Sequence, residues 1–147
     1  MATRTFSQET NVLSGSSITS SRSRDYKDID LSFLTNDYGD VYKKIDAAAV
    51  KQSLKNLILT DYAEKPFNYY FGSDIRGLLF ELFDAGTEGD VQYRIQNAID
   101  NWEPRAQVIN ITVKALDEEN ALDIQLTFRV INTTETITLN TTLSRLR

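Results

Sequence analysis

No cysteine and no histidine occur in the 147 residues of this chain. Their absence excludes disulfide staples, cysteine nucleophiles, histidine-based triads and the usual structural zinc sites. A general acid or base near neutral pH would then have to be a shifted carboxylate, lysine or tyrosine. Long apolar runs are missing as well. None approaches the roughly 18–20 residues of a membrane helix, so no membrane partner is expected. The six glycines are dispersed at 15, 39, 72, 77, 86 and 89, and no glycine-rich loop opens a helix beside Lys-Ser/Thr to cradle a phosphate. No spaced acidic loop of EF-hand type is present, and neither a cofactor nor a metal is expected. The opening residues lack the continuous apolar stretch of a signal peptide. The chain therefore reads as made in the cytosol and kept in a reducing compartment. The sequons at Asn110, Asn132 and Asn140 carry little meaning, because Asn and Thr are abundant in these strands.

What is present suits one domain with a real core. Apolar residues make up 41% and charged residues 25%, and the net charge is −5. The cations are scattered rather than gathered into a stripe, which argues against nucleic acid as the main partner. Residues 1–24 form a Ser/Thr-rich segment with three arginines and one acid. Such a segment cannot bury enough apolar surface to offset its ordering entropy alone. It is read as an extended N-terminal arm that takes its order from partners, ahead of a domain spanning residues 25–147.

Within that domain Phe33 and Leu34 read as anchors, and Asn36 to Asp40 as a turn. Asp46 is placed as an N-cap for a first helix whose stripe is Ala47, Val50, Leu54, Leu57 and Ile58. The stretch Pro66-Phe67-Asn68-Tyr69-Tyr70-Phe71-Gly72 puts four aromatics into seven residues. It is read as a hydrophobic latch closing on the core in preference to an exposed aromatic patch. Asp74 is expected to cap a short second helix with Ile75, Leu78, Leu79, Leu82 and Phe83 on one face, ended by Gly86. Thr87 with Asp90 resembles a capping box opening a third helix, with Val91, Ile95, Ala98, Ile99 and Trp102 as its stripe.

Three alternating strands follow. Ile109, Ile111, Val113 and Ala115 share one face of the first. Leu122, Ile124, Leu126, Phe128 and Val130 do so in the second, and Ile137, Leu139, Thr141 and Leu143 in the third. The connections Asp117 to Asn120 and Asn132 to Glu135 read as hairpin turns. The fold class expected is α+β: three helices packed on one face of an antiparallel three-stranded C-terminal meander.

The most informative feature lies where the third helix gives way to strand, at Glu103-Pro104-Arg105. Proline fixes its own φ and biases the preceding residue away from helical geometry, so the two charges sit on a rigid bend. They are either solvated and paired with each other or set out as contact material. The last strand, Thr136 to Leu143, is rich in Thr and Asn and poor in charge. At a sheet edge it would be able to pair with a strand of another chain, with only Ser144 to Arg147 to blunt it. Catalysis has thin raw material. Paired carboxylates of a glycosidase are the one enzymatic design the composition permits, with Glu81, Asp84, Glu88, Asp90, Asp100 and Glu103 as possible members. Their spacing singles out no pair.

Four elements in order resemble the small baseplate wedge subunit family of T-even-type contractile phage tails. Its relatives include a baseplate subunit of type VI secretion systems and the sheath initiators of contractile injection particles. The elements are Tyr26 to Asp30, Val50-Lys51-Gln52-Ser53-Leu54, Pro66-Phe67 followed by Phe71 to Ile75 with Leu79-Phe80-Glu81, and Asn101-Trp102-Glu103-Pro104-Arg105. The resemblance covers roughly residues 25–147. It implies a structural assembly protein of the virion tail baseplate, present in the host cytoplasm during assembly, in six copies or a multiple. It further implies that Glu103, Pro104 and Arg105 dock on a helical bundle of the larger wedge subunits. The C-terminal strand, with Thr138, Asn140 and Thr142, would help template the first ring of sheath protein. Members of this family have carried a lysozyme-like label, which keeps a peptidoglycan-degrading hydrolase as one alternative. A regulatory anti-adaptor of similar fold is the other. The arm and the Glu-Pro-Arg corner favour the baseplate.

Overall fold

The computed structural model describes residues 26–82, 84–116, 120–131, 133 and 135–145. The arm at residues 1–24, Asp25, Phe83, the turn residues Asp117 to Glu119, Asn132 and Thr134, and the terminal Leu146 and Arg147 lie outside the described residues. A two-stranded antiparallel ribbon comes first, β1 (Lys27–Ile29) against β2 (Lys43–Ile45). Between them the expected turn is present: Asn36 Oδ1 accepts the backbone N–H groups of Tyr38 and Asp40, each at 3.0 Å. Helix α1 (Ala47–Leu59), a 3₁₀ turn (Arg76–Phe80) and helix α2 (Ala85–Trp102) follow. The chain then runs through β3 (Ala106–Leu116), β4 (Ala121–Val130) and β5 (Thr136–Ser144), an antiparallel sheet in the order β3-β4-β5.

The expectation of three helices is wrong: the described residues hold two α-helices and two sheets. The segment read as the second helix makes only the five-residue 3₁₀ turn. Asp74, its proposed cap, has φ +50, and its carboxylate is taken by Arg94 at 2.7 Å. A segment so short, with Gly77 inside it, does not repay the cost of nucleating an α-helix. Ile75, Leu78 and Leu79 still reach the core, whereas Phe80 and Leu82 face solvent. The helix read as the third begins earlier than expected. Asp84 caps it by accepting the Thr87 N–H at 2.8 Å, and Gly86 lies in its first turn instead of ending the segment before it. Asp46 precedes α1 but caps none of its N–H groups; its side chain accepts from the Tyr26 N–H at 3.1 Å.

One core joins the layers. α1 supplies Val50, Leu54, Leu57 and Ile58, and α2 supplies Val91, Ile95, Ala98 and Ile99. The sheet answers with Val113, Leu139 and the alternating Leu122, Ile124, Leu126, Phe128 and Val130 of the central strand. α2 lies against β3, and α1 lies against α2 and β5. The face expected for β3 holds from Ile111 onward. A register shift between Val108 and Asn110 turns Ile109 to solvent and brings Ala106 and Val108 onto the core side. An extra residue in one strand has this effect, because side-chain direction alternates with period two.

Two other expectations fail at the surface. Phe33 and Leu34 are exposed rather than anchored. The aromatic latch closes with one residue: Phe71 packs against the core, edge-on to Trp102, while Phe67, Tyr69 and Tyr70 stand in solvent. Tyr62, Tyr69 and Tyr70 stack on one another instead.

Candidate docking site at the corner and the sheet edge

The corner is built from three elements. α2 ends at Trp102, and Glu103 caps it with an N–H that still bonds the Ile99 carbonyl at 2.8 Å. Pro104 cannot continue the helix. The Ala106 N–H then bonds the Glu103 carbonyl at 3.1 Å, and the Ile131 N–H takes the Arg105 carbonyl at 3.0 Å, so β3 starts at once. The result is a tight bend with Pro104 exposed at its tip and Glu103 buried beneath it.

The two charges do not point outward together. The Arg105 guanidinium grips the Glu103 carboxylate with both Nε and Nη2, the latter at 2.6 Å. Ser53 of α1 donates its Oγ hydrogen to Glu103 at 2.5 Å. The Arg105 side chain is 35% exposed against 5% for Glu103, and its guanidinium lies 5.2 Å from the Tyr26 ring centroid. Burial alone would push the Glu103 carboxyl up. The hydrogen bonds from Arg105 and Ser53, with the guanidinium's charge, outweigh it and hold the group below the ordinary carboxylate range. Arg105 is raised in turn, chiefly by its bond to Glu103. This is a preorganised fork: Glu103 fixes the guanidinium, and Arg105 with Pro104 forms the surface.

The other residues singled out for partner contact, Thr138, Asn140 and Thr142, are exposed on β5, which occupies an edge of the sheet. The Arg145 N–H bonds the Asn120 carbonyl at 3.0 Å, and the register pairs Ala121 with Ser144. Hydrogen-bonded pairs alternate along an antiparallel ladder. The odd-numbered residues of β5 therefore bond β4, and Thr136, Thr138, Asn140 and Thr142 turn their backbone groups outward. No strand lies on that edge among the described residues.

The six acids considered for hydrolysis are dispersed in role. Glu103 is locked in its ion pair. Asp84 caps α2, and its hydrogen bonds from Thr87 lower it. Glu88 accepts the Ala115 N–H at 3.0 Å, and Asp100 accepts from Gln96 at 2.9 Å. Glu81 and Asp90 are exposed. No cluster of three or more ligating side chains able to hold a metal occurs among the described residues. A glycosidase acid needs a raised carboxyl, and Glu103 is shifted the opposite way.

Two residues of the site escaped the reading of the sequence. Ser53 falls three positions after Val50, inside the apolar stripe of α1; a small polar residue there is the signal that it meets a buried partner. Gln52 is buried, and it accepts from Lys44 at 2.7 Å while donating to Asp28 and to the Ile29 carbonyl at 3.0 and 2.8 Å. It clamps the ribbon onto α1 and so sets Tyr26 beside Arg105.

The model of the family described as baseplate wedge protein gp25 matches residues 45–135, well over half of the chain. The chain belongs to the gp25 baseplate wedge family. The baseplate wedge protein gp25 of Enterobacteria phage T4 is 30% identical over 112 residues, covering 76% of this chain and 85% of that protein. Solved structures share the gp25-type fold at lower identity. A chain of the anti-feeding prophage baseplate matches at a TM-score of 0.65 and 21% identity, over 76% of this chain and 90% of that one. A putative tail lysozyme from Geobacter sulfurreducens matches at 0.61 and 22%, over 67% and 89%. A chain of the postcontracted pyocin R2 baseplate matches at 0.57 and 20%, over 71% and 98%. As a gp25-family member this protein is a structural component of a baseplate wedge, located in the tail baseplate of a virion within a multi-subunit assembly.

Proposed function

We propose that this gp25-family chain is a docking and templating subunit of the wedge. The Pro104–Arg105 surface, braced by Glu103, seats on a helical bundle of the larger wedge subunits. The open edge of β5, through Thr138, Asn140 and Thr142, takes up an extended strand from the first ring of sheath protein. The arm at residues 1–24 reaches neighbouring subunits. Six copies, or a multiple, would be built into each baseplate after assembly in the host cytoplasm. The role is architectural and not catalytic.

The observation that carries this reading is the fork at the corner. A buried carboxylate fixes a part-exposed guanidinium beside an exposed proline on a bend with no freedom of its own. A preorganised cation of this kind suits docking, because its ordering is already accomplished before the partner arrives. The open ladder of β5 supports the templating half, since strand addition needs unpaired backbone groups in register.

The test is co-expression with the two large wedge subunits of the same tail, followed by size-exclusion chromatography of wild type and Arg105→Lys. Lysine keeps the charge and loses the two-pronged grip. Co-elution of wild type and loss of the folded variant from the complex is the expected result. A wild type that stays monomeric beside well-behaved partners would refute the docking role, and a peptidoglycan-hydrolysis assay would then decide the lysozyme-type alternative.

A further inference from the structure

Beside the open edge of β5 lies a groove of about 540 Å³. One wall is the flank of α1, another is the segment after β1, and Leu139 with Asn140 of β5 closes the third side. Resting on the strand-addition reading of β5, we propose that this groove selects an incoming strand of a partner chain that carries acidic side chains.

The charges of the groove divide into a neutralised set and a free set. Lys44 is spent, bonded to Asp30 at 3.1 Å and to Gln52 at 2.7 Å. Lys51 and Lys55 are exposed, line the groove, and have no hydrogen bond or ion pair among the described residues. Four residues apart on α1, they project from one face, one above the other. Two uncompensated cations share this groove in a chain of net charge −5.

Geometry then says what meets them. α1 lies over the core face of the sheet at β5. A strand added to β5 continues that sheet by one position and sends every second side chain toward the helix side. At the level of Leu139 and Asn140 those side chains enter the groove. Backbone pairing to Thr138, Asn140 and Thr142 supplies register without regard to sequence, and the groove reads the alternate side chains. A carboxylate there meets Lys51 and Lys55, whereas a lysine is repelled. The chain's own residues 1–24 have the wrong sign for this place, with three arginines to one acid.

The experiment uses the isotope-labelled full chain and two synthetic ten-residue strands of alternating Thr and Val. One carries Glu and the other Lys at the positions facing α1. Backbone amide shifts are followed by NMR at low and high salt. The Glu strand is expected to shift the amides of Thr138, Asn140 and Thr142, and to bind about tenfold more tightly than the Lys strand. The preference should shrink toward unity as salt screens the pair. Lys51→Gln/Lys55→Gln in the full chain should erase the preference while the same edge amides still move. Equal binding of both strands at the edge overturns the acid selection and leaves strand addition standing. Movement of no edge amide by either strand overturns both. A synthetic peptide of residues 1–24 that shifts the same amides more strongly than the Glu strand gives the groove to this chain's own arm, and also overturns the proposal.

Discussion

Ser53 and Glu103 stand 50 residues apart in the chain, yet the serine hydroxyl donates to the carboxylate at 2.5 Å. This bond joins the middle of α1 to the end of α2 directly under the exposed proline of the corner. It also completes the surroundings of a buried anion that Arg105 alone grips from one side. The corner is therefore part of the fold as well as a surface, and a substitution there is read in stability and in docking together.

The first prediction concerns Glu103 and pH. Its carboxyl is held below the ordinary value of 4.5 in the folded chain. A carboxyl with a lowered folded value contributes stability that is fully present above the unfolded value and lost as pH falls through the folded one. Wild type should therefore lose stability from about pH 5 downward. Glu103→Gln should be less stable at pH 7 by about 1–3 kcal/mol, for the charged hydrogen bonds it gives up. Urea midpoints measured between pH 7 and pH 3 should converge as the pH drops. A gap that stays constant across this range would show that Glu103 is not held ionised.

Arg105→Ala strands the same carboxylate with Ser53 alone. Removing one partner of a fully buried pair costs about 3–5 kcal/mol. Arg105 is 35% exposed, so about 2 kcal/mol is the expected loss after discounting for solvent. The domain should remain folded by circular dichroism with a lower melting temperature. Arg105→Lys should recover part of that stability. A fully stable Arg105→Ala would mean the fork contributes nothing to the fold and serves contact alone.

Much of this fold was legible because periodicity survives packing. The alternation of β4 appears in the core residue for residue, and so do the stripes of α1 and α2 except at their ends, where Ala47 is only partly buried and Trp102 is exposed. The misreadings have local causes. Asp74 looked like a cap because aspartate caps often, but Arg94, 20 residues on, competes for its side chain, and no window of sequence shows that. The aromatics after Pro66 were sent inward by composition, whereas Phe67 has φ +64 and faces solvent. Glu103-Pro104-Arg105 stood out as a corner, but the burial of its acid depends on Ser53 from another helix. Which strand was the edge lay beyond pattern altogether, because edge and centre strands alternate alike.

Gln52 offers a test of how the ribbon is held. Its amide bonds Lys44, Asp28 and the Ile29 carbonyl, all from β1 and β2. Gln52→Leu keeps the volume and deletes the bonds, leaving the Ile29 carbonyl without that partner. A loss of about 1–3 kcal/mol is expected. Amide exchange should rise selectively in residues 27–31 and 42–45, with the sheet β3-β4-β5 unaffected. Uniform acceleration across the chain would instead show that the ribbon and the core open as one unit.

The last prediction is the sharpest sterically. Gly72 ends the exposed aromatic loop with φ +120, a conformation that side chains rarely adopt. A Cβ at this position would run into the Thr60 carbonyl oxygen, which also accepts the Ser73 N–H at 3.0 Å. The Ser73 hydroxyl meanwhile donates to the Ile58 carbonyl at 2.6 Å, so the end of α1 and the loop are stitched at two points. Neither backbone segment is free to move aside. Gly72→Ala should therefore cost more than the roughly 1 kcal/mol by which glycine and alanine ordinarily differ, on the order of 2–3 kcal/mol. Gly77→Ala, where an added Cβ meets nothing within 4 Å, is the control and should change stability little. Equal melting temperatures for the two variants would mean that the Thr60–Ser73 stitch yields, and that the loop carrying Tyr69 and Tyr70 is held by the Phe71–Trp102 contact instead.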